Sequence, residues 1–329
     1  MRDTVLMTEI RRPVVAVLTA LLAAAGLCLS AGVVRADETP QWRYTLVGFS
    51  NDSARDMDVY ESADGTDFTV VRKSAYRPPT GYVRDPSIMR HADGRYYVVY
   101  TTAAGATIGI ARSTDRRTWQ HVRTIPLPLC CAFLHGTGDG TGSSAPPPLS
   151  GSAGFDEGPS LSPFTTKAWA PEWFVDGGRV NIIVSLSTGG GFVPYLLTAT
   201  DSSLRQWGWP IPILGIGADH IDTTVIKVGS RYHAFTKNET RKVIQHAVSP
   251  TLVGPYSFVR PGNWGSKVEG PAVVKLPNGK WRMYFDAYTK RKYLYSDSAD
   301  LTHWSAPKQL PGLSGTVRHF SVLREPARP

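Results

Sequence analysis

Cysteine is scarce in this chain, and the few cysteines are poorly placed for crosslinks. The 329 residues include 3 Cys. Cys28 lies in an apolar N-terminal run, whereas Cys130 and Cys131 are adjacent, with Cα atoms about 3.8 Å apart, closer than in ordinary disulfides. These positions exclude a disulfide framework and a cysteine metal site. In an oxidising compartment the adjacent pair has two interpretations, a strained vicinal disulfide or two thiols.

Charged residues and methionine are also few. Asp, Glu, Lys and Arg make up 19% of the chain and there are 5 Met, while glycine and proline are frequent, at 31 and 25. Frequent turns and few long helices favour an all-β architecture and exclude a helical bundle. The hydrophobic content of 42% excludes a disordered chain and allows a sizeable core.

Basic residues exceed acidic ones without forming a cluster. The formal net charge is +9, yet there is no stripe of lysine and arginine and no recognition motif for nucleic acid. We therefore expect no nucleic-acid partner. A merely soluble, basic surface explains the excess of basic residues best. The positive charge of such a surface also suits acidic or wall-associated surroundings.

The N-terminal segment has the features of a targeting signal. Arg11-Arg12 precede an uncharged apolar run over residues 14–34, which ends at a signal-peptidase-like site near Ala36. We predict a signal peptide over residues 1–36 and a secreted, extracellular domain over residues 37–329 without stable membrane association. The run is long enough to span a bilayer, so a single transmembrane anchor is the alternative.

A polar turn followed by an aromatic residue recurs along the chain. Clear copies cover 61–68, 112–119 and 296–304, and weaker copies cover 198–207 and 247–256. Each turn has an Asp or Ser that can bond its own backbone and an aromatic that can pack on a sheet. Ahead of four copies lies an apolar strand, a turn with glycine and an aromatic strand. A four-stranded antiparallel unit that repeats about every 50 residues predicts a five-bladed β-propeller.

Both ends of the chain are needed for the fifth blade. Thr316–Leu323 is predicted to pair beside Tyr44–Phe49, which closes the ring and hides strand edges. One insertion, Pro126–Thr166, is rich in Gly, Pro and Ser and is predicted to be a loop. The predicted organisation is a single domain.

The first strand of each propeller blade lines the central channel, so residues at the strand starts converge on one mouth. These starts are Arg84-Asp85-Pro86, Trp169-Ala170-Pro171-Glu172, Ile221-Asp222-Thr223-Thr224, Glu269-Gly270-Pro271 and Arg318-His319. We interpret Asp85, Asp222 and Glu269 as acids at equivalent blade positions. Because like charges repel, three converging carboxylates indicate chemistry rather than turns.

These motifs resemble glycoside hydrolase family 43, five-bladed enzymes that act on arabinose-, xylose- and galactose-containing polysaccharides. The resemblance covers Tyr44 to Leu323. It implies that Asp85 is the general base, that Glu269 is the general acid, and that Asp222 orients and tunes the acid. Thr223 stands where the family has proline.

The resemblance also implies substrate-binding residues. Trp169 is expected either to stack on a sugar or to pack within a blade, and Arg318 to bond sugar hydroxyls. His319 is expected on the axis, where it holds water or a calcium ion or is satisfied without metal. No cofactor is required, with a structural calcium ion on the axis as an alternative.

Inverting hydrolysis explains why carboxyl groups are needed. One protonated carboxyl donates its proton to the leaving oxygen, while an ionised carboxylate activates water on the opposite face of the sugar. The two carboxyl groups of such enzymes lie ~6.5 to 9.5 Å apart. Asp222 is expected to keep the pKa of Glu269 high by like-charge repulsion. No feature of the motif requires Glu172 to exchange a proton.

The resemblance implies an inverting glycoside hydrolase, and we predict an exo-acting α-L-arabinofuranosidase. Exo action is preferred over endo action because the insertion could close one end of the cleft. A β-D-xylosidase or β-D-galactofuranosidase of the same fold is an alternative, as is a sugar-binding propeller without catalysis. A sialidase is disfavoured by five repeats rather than six. The expected partner is an oligosaccharide or polysaccharide, and the protein is expected to be a monomer.

Overall fold

β-Strands form almost all of the regular structure. The computed structural model describes residues 42–50, 53–103, 105–127, 165–313, 315 and 317–327. The predicted signal peptide, Cys130 and Cys131, and most of the Pro126–Thr166 insertion lie outside the described residues. Within these ranges the helical structure is one 3-10 turn, Tyr288–Lys290. No helix in the described chain is long and apolar enough to cross a membrane.

The strands form five four-stranded antiparallel sheets, each of which is one blade. The closing blade contains β1 (Trp42–Ser50), β2 (Met57–Ser62), β3 (Thr69–Tyr76) and, from the other end of the chain, β20 (Val317–Pro326). Blade 1 contains β4 (Arg84–Arg90), β5 (Tyr96–Thr101), β6 (Thr107–Ser113) and β7 (Gln120–Pro126). Blade 2 contains β8 (Lys167–Asp176), β9 (Arg179–Ser187), β10 (Val193–Thr198) and β11 (Ile211–Pro212).

Blades 3 and 4 have the same arrangement, with a short outermost strand. Blade 3 contains β12 (His220–Val228), β13 (Arg231–Asn238), β14 (Val243–Ser249) and β15 (Ser257–Val259). Blade 4 contains β16 (Glu269–Lys275), β17 (Trp281–Ala287), β18 (Lys292–Ser298) and β19 (Lys308–Gln309). The predicted five-bladed β-propeller is confirmed.

The innermost strands close a ring. In order, β4 contacts β8, β8 contacts β12, β12 contacts β16, β16 contacts β20, and β20 contacts β4. An apolar core lies between each pair of neighbouring blades. Between blades 1 and 2, for example, Val99 and Ile110 belong to the same cluster as Ile182 and Leu197. Because the cores lie between blades, each blade depends on both neighbours for its buried surface.

The closing blade joins the two ends of the chain as predicted. β20 pairs antiparallel with β1 along its whole length, with Leu46 opposite Val322. The pairing extends past the predicted segments, from Trp42 on β1 to Pro326 on β20. Both edges of β1 are therefore paired, one with β2 and the other with β20.

A buried carboxylate strengthens this closure. Glu325, near the end of β20, is 6% exposed. It accepts hydrogen bonds from Arg43 at 2.8 Å, Arg90 at 2.7 Å and Tyr96 at 2.8 Å. Since Arg90 and Tyr96 belong to blade 1, the carboxylate links the closing blade to its neighbour through hydrogen bonds to charged groups, which are stronger than neutral ones.

Candidate active site

Every innermost strand has one residue in the left-handed backbone conformation, beside a β-bulge. These residues are Asp85, Ala170, Asp222, Gly270 and His319, with φ between 33° and 59°. The ladder register shifts at the same place in all five blades. Such backbone costs about 1–3 kcal/mol at a non-glycine residue and is concentrated at functional sites. We call these five the axis positions, and the residue before each the rim position.

The three predicted acids do not share one position. Asp85 and Asp222 occupy axis positions, but Glu269 occupies a rim position, like Arg84 and Arg318 in their blades. The expectation of equivalent positions is therefore wrong. The reason is steric, because a Cβ at Gly270 would lie 2.9 Å from Cδ2 of His319, so that blade 4 has no room for a carboxyl at its axis position.

His319 brings the two axis aspartates together. Its Nδ1 lies 3.3 Å from Oδ1 of Asp85 and 4.0 Å from Oδ1 of Asp222. The backbone N–H of Gly270, next to Glu269, donates to Oδ2 of Asp222 at 3.2 Å. The structure thus places the three predicted acids, contributed by blades 1, 3 and 4, around one buried imidazole.

Glu269 is held between two cations. Lys237 donates to its Oε2 at 2.9 Å, and Arg318 donates to its Oε1 at 2.5 Å. Burial raises the pKa of Glu269, but Lys237, His319 and Arg318 outweigh burial and leave it below its usual value. The expectation that Asp222 keeps this pKa high is wrong, because the expectation included only one neighbour of Glu269.

Three other carboxyls nearby hold their protons more tightly. Burial raises the pKa of Asp222, together with the charges of Glu269 and Asp85. Burial raises the pKa of Asp286 to about 6 against the opposing charge of Arg318. Burial also raises the pKa of Glu172 to about 7, although Ser87 donates to it at 2.6 Å. The site therefore combines carboxyls of very different proton affinity.

Sequence reasoning missed two charged residues of the site, Lys237 and Asp286. Both lie on the second strand of a blade, directly opposite a rim position: Lys237 pairs with Ile221 and Asp286 with Glu269. Arg318 donates to Asp286 at 2.5 Å as well as to Glu269. The signal that would have found them is the strand register across the bulge.

Thr101 occupies the same second-strand position in blade 1, opposite Arg84. Its hydroxyl donates to Oδ2 of Asp85 at 2.9 Å and accepts the backbone N–H of Ala170 at 2.9 Å. This hydroxyl fixes one oxygen of the Asp85 carboxylate and ties blade 1 to blade 2.

The residues around His319 do not fit a calcium site. Calcium takes six to eight oxygen ligands, whereas Ala170 and Gly270 supply no side-chain ligand at their axis positions. Burial lowers the pKa of His319, but Asp222, Asp85 and Glu269 outweigh burial and raise it above its usual value. The charges of these carboxylates stabilise the protonated imidazole, and we derive no step through calcium.

A cavity of about 420 Å³ opens beside Asp85. Its walls include Tyr82, Arg84, Thr101, Thr102, Lys167 and Trp169. Trp169 lines this cavity and also packs on Phe192, with ring centroids 5.2 Å apart. The two roles expected for Trp169, contact with a ligand and packing within the blade, are thus compatible. The volume is in the range of small-ligand sites.

A family model described as a probable glycosyl hydrolase domain, related to family 43, matches residues 160–324. An exo-β-1,3-galactanase from Clostridium thermocellum has a similar structure, with a TM-score of 0.59 and 14% identity over 84% of this chain and 62% of that chain. An endo-1,4-β-xylanase from Bacteroides thetaiotaomicron has a TM-score of 0.57 and 14% identity over 84% of this chain and 93% of that chain.

A third similar structure is a family 43 protein from Bacillus licheniformis, with a TM-score of 0.53 and 14% identity over 85% of this chain and 56% of that chain. At these identities the similarity concerns the fold. No curated protein matches the chain.

Proposed function

The chain belongs to the glycosyl hydrolase family 43-related domains, whose model covers half of it, and from this premise we propose an inverting glycosidase in which Glu269 is the acid and Asp85 the base. Asp222 is proposed to position both groups through His319 and Gly270. The chemistry is carried by carboxyl groups and water and calls for no cofactor.

The observation that carries this proposal is that two carboxyls meet at one imidazole and the third is bonded to the arginine beside it. Asp85 and Asp222 lie 3.3 and 4.0 Å from His319, and Glu269 is bonded to the adjacent Arg318. Structural ion pairs alone would not require five left-handed residues at one level of the channel, four of them non-glycine residues at which this backbone costs free energy.

The proposed step accounts for each proton. Asp85 takes a proton from water, and the water oxygen attacks the anomeric carbon. The bond from that carbon to the leaving oxygen breaks, and Glu269 gives its proton to the leaving oxygen. Asp85 is then protonated and Glu269 ionised, and exchange with solvent restores both.

Glu269 must be protonated to act, and in the substrate-free protein two cations oppose this. Substrate favours protonation in two ways. It displaces water and deepens burial, which is already the strongest influence on this carboxyl. Its hydroxyls also compete for the N–H groups of Arg318, in agreement with the expected role of Arg318 in sugar binding.

An α-L-arabinofuranoside is the proposed substrate, cleaved from a chain end. The cavity beside Asp85 is compact, about 420 Å³, which supports binding of a terminal sugar more than binding of a long chain. β-D-Xylosides and β-D-galactofuranosides are the alternatives with the same chemistry. Two proteins of similar structure are an endo-1,4-β-xylanase and an exo-β-1,3-galactanase. Xylosides and galactosides are therefore tested beside arabinofuranosides.

The experiment is a panel of aryl glycosides followed by the matching oligosaccharides. Glu269→Gln and Asp85→Asn should each lose about 10²- to 10⁴-fold in kcat on the oligosaccharide, where the leaving group needs a proton. Glu172→Gln, a buried carboxyl of the same channel, is the matched control and should lose far less. NMR of the first sugar released should show inversion.

Two outcomes would contradict the proposal. Sugar released with retained configuration would exclude the inverting step. Polysaccharide binding without turnover of any glycoside would favour the sugar-binding propeller. We also propose export with cleavage near Ala36, which N-terminal sequencing of the mature protein tests.

A further inference from the structure

We propose that the substrate is an acidic glycan, with a uronic acid next to the cleaved bond whose carboxylate is bound by Arg84 and Lys167. The proposal rests on the proposed glycosidase function and names its substrate class. Lys167 lies outside the three-acid site, and Arg84 approaches that site through Asp85, at 4.0 Å.

The cations at this end of the channel fall into two kinds. Lys237 and Arg318 are fully engaged, because both bond to Glu269 and each has a second carboxylate partner. Arg84 and Lys167 differ, because within the described ranges neither hydrogen-bonds a carboxylate. Both line the cavity of about 420 Å³ beside Asp85.

Arg84 has most of its hydrogen-bonding capacity unused. Its Nε is buried without a hydrogen-bond partner, and its Nη1 makes one long bond, 3.4 Å, to the hydroxyl of Tyr82. The guanidinium stacks 5.1 Å from the ring centroid of Phe49, which holds it in place. A planar guanidinium with free N–H groups matches a carboxylate, which it can bind through two parallel bonds.

Asp85 does not satisfy this arginine. The closest approach, from Nε of Arg84 to Oδ1 of Asp85, is 4.0 Å, beyond hydrogen-bond distance. The oxygens of Asp85 face other groups, Oδ2 the hydroxyl of Thr101 at 2.9 Å and Oδ1 the ring of His319 at 3.3 Å. The cavity wall therefore carries two cations and one carboxylate that is already engaged.

Lys167 is placed to reach a carboxylate on a sugar that contacts Trp169. Its Nζ lies 4.9 Å from the ring centroid of Trp169 and 5.7 Å from that of Phe192. Aromatic faces are ordinary platforms for the apolar side of a sugar ring, and an ammonium at their margin favours an anionic substituent on that ring. Arg84 and Lys167 would then contact one ligand from two blades.

A carboxylate is favoured over other anions by the planar fork of Arg84. A sulfate ester is the competing anionic group on natural glycans. The probes are therefore tri-D-galacturonate, its fully methyl-esterified form, and a sulfated disaccharide. The ester has the same sugar backbone without the charge, so the comparison isolates the carboxylate.

Binding is measured by titration calorimetry on the wild-type protein, with chromatography to verify that the ligand stays intact; if it is cleaved, kcat/KM replaces the dissociation constant. We expect the acid to bind about tenfold or more tightly than the ester. Arg84→Gln and Lys167→Met should each reduce this ratio, and the double variant should abolish it. Lys227→Met, which removes an exposed lysine of blade 3, should leave the ratio unchanged.

Equal affinity for acid and ester, or a preference that survives both substitutions, overturns the proposal. A sulfated disaccharide that binds as tightly as the acid overturns the carboxylate assignment. These binding results do not depend on turnover. If the glycosidase assay fails but the preference for the acid is retained, the glycosidase function is overturned while binding of an acidic glycan stands. Activity on neutral glycosides without a preference for the acid would support the glycosidase function and overturn the acidic-substrate proposal.

Discussion

Lys237 is expected to set the pH range in which the proposed acid works. Its Nζ lies 2.9 Å from Oε2 of Glu269, and the two side chains are 7% and 13% exposed. At an effective dielectric constant of about 20, Coulomb's law gives an attraction of about 6 kcal/mol at this distance, before the cost of removing both groups from water. A cation this close lowers a carboxyl pKa by about 1–3 units. Lys237→Met should therefore raise the pKa of Glu269.

The assay is the pH dependence of kcat/KM, which reports the ionisations of the free enzyme. A general acid works only while protonated, so a higher pKa extends activity to higher pH. The alkaline limb of the profile should move up by about 1–3 pH units in Lys237→Met and stay in place in Lys237→Arg. Lys227→Met is the matched control, since Lys227 pairs with Asp176 at 2.8 Å on the surface.

The reasoning is refuted by an alkaline limb that does not move in Lys237→Met. Movement of the acidic limb instead would make Glu269 the base, since a base works only while ionised. Either result would require a new assignment of the three acids, although the fold and the family would stand.

Three further predictions concern stability and assembly. Gly270→Ala adds a Cβ 2.9 Å from the ring of His319 at a φ of +59° and should destabilise the protein by about 2–4 kcal/mol and lower activity. Gly279→Ala is the control: nothing lies within 4 Å of its Cβ, and it should cost about 1 kcal/mol in urea unfolding. Equal losses of stability in the two variants would contradict this prediction. Deletion of β20 should expose the long edge of β1 and give insoluble protein, and a soluble, active product would contradict its place in the ring. Burial and His233 lower the pKa of His246 to about 4. Up to about 3 kcal/mol of unfolding free energy should therefore be lost as the pH falls from about 6.5 to 4. His246→Gln should remove most of this loss, and a variant with the same pH profile of stability as the wild type would contradict the assignment.

The ring and its closure could be predicted because they follow from local patterns. Turn residues, aromatic positions and a repeat of about 50 residues are all visible in one sequence. The level of the site could also be predicted, since Asp85, Asp222 and Glu269 stand at the starts of innermost strands. These signals depend on order along the chain alone.

The contacts of the site could not be predicted, because they depend on register. A one-residue shift moves a side chain to the other face of a strand, and each innermost strand contains such a shift at its bulge. This is why Glu269 was assigned the position of Asp85, and why Lys237 and Asp286 were missed. The error in the expected pKa of Glu269 has the same origin, since its two cations come from β13 and β20.

The position of Arg318 and His319 on β20 has a consequence for the order of events during synthesis. β20 follows all four complete blades in the chain, so a ribosome makes Asp85, Asp222 and Glu269 before Arg318 and His319 exist. Until β20 docks, three carboxyls have neither the imidazole nor the guanidinium that balances them. The last strand to join the ring is therefore also the one that completes the proposed catalytic centre, and we expect a partly made propeller to be inactive.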